Sequence, residues 1–65
     1  MWTVVYLAKN KVMADKVSNL MSQEGVLVKI QPVSKNTGDE DGYFEILVLE
    51  SETEEAHNIL YEKGL

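Results

Sequence analysis

Cysteine is absent from this chain of 65 residues, and histidine occurs once. Disulfide staples are therefore excluded, and zinc-finger or iron–sulfur sites have no ligand set. A thiol-free chain fits a reducing compartment. Long apolar runs are also missing, and no stretch approaches the ~20 residues of a membrane helix. The opening Met1-Trp2-Thr3-Val4-Val5-Tyr6-Leu7 has no basic lead and no small-residue cleavage site. It reads as folded strand rather than secretion signal, and the cytoplasm is the expected location. An excess of positive charge is lacking too. The formal net charge is −5, which argues against nucleic acid as a partner.

The chain has room for one domain, residues 1–65. A domain of this size buries only about 60% of the surface its unfolded chain exposes. Its core is expected to leave a margin of only ~3–5 kcal/mol. Packing, alone or with self-association, must supply that margin.

Trp2 to Ala8 is rich in β-branched and aromatic residues and reads as a strand. Strict alternation places Trp2, Val4 and Tyr6 on one side and Thr3, Val5 and Leu7 on the other. Both sets are mostly apolar, so the buried side stays open at this point. Asn10 is an N-cap for a helix running to about Glu24, with Met13, Val17, Leu20 and Met21 as its stripe and Ala14 at the margin. Gly25 stops that helix, and Val26 is expected to fold back on Met21. Val26 to Val33 alternates, with Val26, Val28 and Ile30 on one side and Leu27, Lys29 and Gln31 on the other. Pro32 ends this strand or marks it as an edge.

Residues 34–42 contain no apolar side chain and read as a solvated loop. Tyr43 to Glu50 forms a third strand, with Phe44, Ile46 and Val48 opposed to Tyr43, Glu45, Leu47 and Leu49. Ser51-Glu52-Thr53-Glu54 has the spacing of a capping box. The following helix buries Ala56, Ile59 and Leu60. Gly64-Leu65 repeats the Gly-apolar stop of Gly25-Val26.

The order β-α-β-β-α constrains the topology. A helix between the first two strands makes them parallel, and the polar loop joins the second and third as a hairpin. Placing the third strand, the most apolar, between the others makes every neighbouring pair antiparallel. The expected fold is α+β: a three-stranded antiparallel sheet in order 1-3-2, with two helices on one face. It is the ferredoxin-like arrangement without its last strand.

The whole chain resembles a small prokaryotic family described as signal-transducing domains. Val5-Tyr6-Leu7-Ala8, Ala14-Asp15-Lys16-Val17 and Leu20-Met21-Ser22-Gln23-Glu24-Gly25-Val26 carry the resemblance. Glu45-Ile46-Leu47-Val48 and Glu54-Glu55-Ala56-His57-Asn58-Ile59-Leu60 complete it. It implies a compact α/β domain with a regulatory role, and it brings no defined site residues.

Two helices cover one side of a sheet. The other side would present Leu27, Lys29, Tyr43, Leu47 and Leu49, an apolar surface for a protein partner or a second copy. The free edge of the first strand offers another route to the same end. Lys9-Asn10-Lys11, at a strand-to-helix corner, offers an alternative: an anionic metabolite held at a helix N-terminus, as in amino-acid-binding regulatory domains. Its plain reading is a cap flanked by two solvated lysines. No glycine-rich turn accompanies it, so a phosphate-loop reading fails.

Asp39-Glu40-Asp41-Gly42 clusters carboxylates that could hold a divalent cation, but it lacks the spacing and the distant glutamate of a calcium loop and reads as a charged hairpin loop. His57 shares a helix face with Glu54 and Tyr61, yet no nucleophile or pocket accompanies it. Trp2, Tyr6 and Tyr43 could stack on a ligand or pack within the sheet. No catalytic constellation, cofactor motif or metal-ligand set emerges. The reading is a non-catalytic binding or regulatory module.

Overall fold

The computed structural model describes residues 1–33 and 42–65. Strand β1 spans Trp2–Ala8, helix α1 Lys11–Gln23, strand β2 Val28–Pro32 and strand β3 Phe44–Leu49. A short 3₁₀ turn over Glu50–Glu52 leads into helix α2, Thr53–Glu62. The three strands form one sheet in order β1-β3-β2, and β3 is antiparallel to both neighbours. This is the α+β topology anticipated from the sequence.

Phe44, Ile46 and Val48 of β3 are buried together with Ala14, Val17 and Met21 of α1 and Ala56, Ile59 and Leu60 of α2. Both helices therefore lie against the same side of the sheet. The principal extents are 32 × 25 × 15 Å, and the least of them accommodates one helical layer on one sheet. Every alanine of the chain, Ala8, Ala14 and Ala56, is fully buried. Small side chains let backbones approach closely, so Ala14 lies within the buried stripe of α1 rather than at its margin. Met13 and Leu20 are only partly buried.

Helix ends follow local chemistry at three of four termini. Asn10 has extended backbone angles, and its Oδ1 accepts the Met13 N–H at 2.8 Å. At the other end Gly25 adopts φ +89°. Val26 N–H donates to the Met21 carbonyl at 3.1 Å, and Gly25 N–H donates to Ser22 at 3.0 Å. That pair of bonds is a Schellman cap. Gly64, with φ +74°, repeats it: Leu65 N–H donates to Leu60 at 2.9 Å and Gly64 N–H to Tyr61 at 3.1 Å.

The capping box expected at Ser51 does not form. The 3₁₀ turn moves the start of α2 to Thr53, with Glu52 in the cap position and no side-chain cap bond. The Thr53 hydroxyl instead donates to the Glu50 carbonyl at 2.9 Å. Tight turns of this kind often lead into helices and satisfy backbone groups without a side-chain cap.

Strict alternation along β1 also fails. Thr3 pairs with Val48 and Val4 with Leu47, but Tyr6 pairs with Ile46, leaving Val5 as an extra residue in a β-bulge. The bulge reverses the side-chain parity. Trp2, Val4 and Leu7 lie on the side away from the helices, while Thr3, Tyr6 and Ala8 lie beneath them. Val5 and Tyr6 pack against the core.

Candidate binding surface

The sheet face away from the helices is the surface that no described helix or strand covers. Its residues follow from the strand registers. Trp2 stands opposite Leu49, Val4 opposite Leu47 and Leu7 opposite Glu45. On the other flank Lys29 stands opposite Leu47 and Gln31 opposite Glu45. Val33 N–H donates to the Tyr43 carbonyl at 3.0 Å, which extends the pairing by one more row.

Trp2, Val4, Leu7, Leu27, Val33 and Tyr43 are exposed hydrophobic residues. Leu27, at 67% exposure, is the most open of the six. Leu47, in the middle of the face, is only 8% exposed although no helix covers it. Its shelter comes from its neighbours. The Lys29 ammonium lies 5.6 Å from the centre of the Trp2 ring, within the range of a cation–π contact. Trp2 and Lys29 belong to the two outer strands, so this contact spans the central one over the Leu47 region.

Among the five face residues named from sequence, Leu27, Lys29 and Tyr43 are exposed, Leu49 is intermediate and Leu47 is sheltered. Sequence reasoning did not assign Trp2, Val4 and Leu7 to this face. The bulge at Val5 sets their parity, and nothing in a run of apolar residues marks its position.

Both edges of the sheet are interrupted. The Val33–Tyr43 bond fixes the phase of the β2–β3 ladder, in which hydrogen-bonding residues alternate. Val28, Ile30 and Pro32 then direct their backbone outward, and Pro32 has no N–H to offer. Likewise, the Glu50 N–H to Met1 carbonyl bond of 2.8 Å turns the Trp2 and Val4 backbone toward the free edge of β1. There the bulge at Val5 breaks the regular row. The broad face, rather than either edge, presents the continuous surface.

The Lys9-Asn10-Lys11 corner is internally engaged. Asn10 caps Met13, and the Lys11 ammonium contacts Asp15 at 3.3 Å along the same helix. His57, Glu54 and Tyr61 lie on the outer surface of α2, with Tyr61 86% exposed. Tyr6 packs against the core, whereas Trp2 and Tyr43 reach the open face. The Asp39-Glu40-Asp41 cluster lies outside the described residues. Among the described residues no group of three or more His, Asp or Glu is placed to hold a metal ion. Among the described residues no helix is long and apolar enough to cross a membrane. No family profile, curated protein or solved structure matches the chain.

Proposed function

We propose that this domain is a non-catalytic binding module that works through the open face of its sheet. One observation carries the reading: exposed Trp2, Val4, Leu7, Val33 and Tyr43 follow the strand registers onto a single side of the sheet, and exposed Leu27 immediately precedes β2. With each about half exposed, at on the order of 100 Å² apiece, these residues expose roughly 600 Å² in all, interrupted by Lys29, Gln31 and Glu45. Exposed apolar clusters of a few hundred Å² are commonly functional. A partner that covers this surface removes apolar area from water at about 25 cal/mol per Å².

Site-specific photocrosslinking in the producing cell tests this reading. A benzoylphenylalanine side chain introduced at Val4 should give a discrete protein adduct. The same group at Asn58, on the exposed side of α2, should give none. Equal yields at both positions, or adducts from Asn58 alone, would refute a role for the face.

A further inference from the structure

The structure assigns the open face a specific occupant: a second copy of this chain, packed face to face about a two-fold axis. This inference rests on the binding role proposed for the face and adds its partner. Charge is the first argument. The chain carries a net charge of −5, yet the paired strand residues of the open face include one cation, Lys29, and one anion, Glu45. A strongly acidic molecule repels itself through most of its surface. The described strand part of this face is balanced, which suits a second copy better than a strongly basic or acidic partner.

Position is the second argument. Glu45 lies on β3 with Gln31 opposite it, and Lys29 lies opposite Leu47, one same-face step further along β2. The two charges are thus offset diagonally on adjacent strands. A two-fold axis in the plane of contact, passing midway between them, sets Lys29 of each copy against Glu45 of the other. Isologous pairing of this kind closes as a dimer and leaves no open end. With strands ~4.8 Å apart and same-face neighbours ~6.8 Å apart, the strands of the two copies cross at roughly 70°. That lies near the orthogonal class of sheet packing.

Area is the third argument. Complete coverage of both faces would bury at most about 1,200 Å² in total, at the weak end of the range for a specific interface. A reversible dimer follows, rather than an obligate one.

Sedimentation equilibrium on the purified chain, from about 10 µM to about 1 mM, spans the range in which weak interfaces form. The expected result is a monomer–dimer equilibrium. Glu45→Lys should weaken it by about tenfold or more, and Lys29→Glu should do the same, because each sets like charges against one another. The double exchange, Lys29→Glu with Glu45→Lys, should return the dissociation constant to within about threefold of the original. Circular dichroism on each variant separates lost association from lost folding. A monomer throughout the range would overturn the second copy as occupant, as would a dimer indifferent to all three variants. The Val4 crosslink keeps the two proposals apart. An adduct of twice the chain mass supports both. An adduct of any other mass retains the binding face and rejects the second copy, and no adduct rejects both.

Discussion

Single residues set the ends of α1 and the left-handed turns that follow both helices. Asn10 supplies the oxygen that Met13 N–H needs, so Asn10→Ala should cost about 1 kcal/mol in urea denaturation. At Gly25 the backbone demands φ +89°, while a Cβ there would meet nothing within 4 Å. The cost of Gly25→Ala is therefore conformational rather than steric, about 1 kcal/mol by the same measurement. Gly64→Ala faces the same backbone demand one residue from Leu65, where fraying relieves it, and should cost less. These positions were legible from sequence because capping is local chemistry, read within four or five residues. Ser51 was misread for the complementary reason. Whether Glu50–Glu52 winds as a 3₁₀ turn depends on the angle at which α2 must leave the sheet, and capping-box spacing does not encode that angle.

At the scale of elements, the β1 bulge decides most about the candidate surface. With Val5 as the extra residue, Thr3, Tyr6 and Ala8 turn inward and Trp2, Val4 and Leu7 turn outward. Without it, one half of the strand would present the opposite set to the helices. Deleting Val5 should leave the pairings Thr3 with Val48, Val4 with Leu47 and Tyr6 with Ile46 intact, as a regular ladder. The expected loss is the packing of one partly buried valine, about 1–2 kcal/mol. Cross-strand NOEs between Tyr6 and Ile46, with a denaturation curve, check both points. Disappearance of those NOEs would show that the bulge is needed for register. The alternation of β2 and β3 was readable because polar residues mark one side of each: Lys29 and Gln31 on β2, Glu45 on β3. In β1 both sides are apolar, so hydrophobic pattern carried no parity signal.

For the whole molecule, the small core makes stability sensitive to any one of its members. Ile46 is fully buried in the central strand, and Ile46→Ala should remove about 2–5 kcal/mol. Against a margin of ~3–5 kcal/mol, a large fraction of the variant should be unfolded at room temperature by circular dichroism. Charge acts at the same scale. Residues 34–65 contain nine acidic side chains against Lys35 and Lys63, and exposed Glu54, Glu55 and Glu62 lie on α2 alone. The Lys11–Asp15 pair, about half exposed at both ends, offsets little of this. Raising sodium chloride from about 0.01 M to about 0.5 M shortens the screening length from ~30 Å to a few Å. The melting temperature should rise by a few degrees, and a fall would show that attractive pairs dominate.

Local chemistry in the sequence determined the caps of α1, the two glycine stops, the element order and the central place of β3. Each depends on neighbours a few residues away, or on a connection too short to allow another topology. The tertiary structure alone decided which side of β1 is buried and how Trp2 and Lys29 meet across β3. It also decided that Leu47 is sheltered on an uncovered face. These depend on where a bulge falls and on side chains brought together from strands distant in the chain, information that spacing along the chain does not carry.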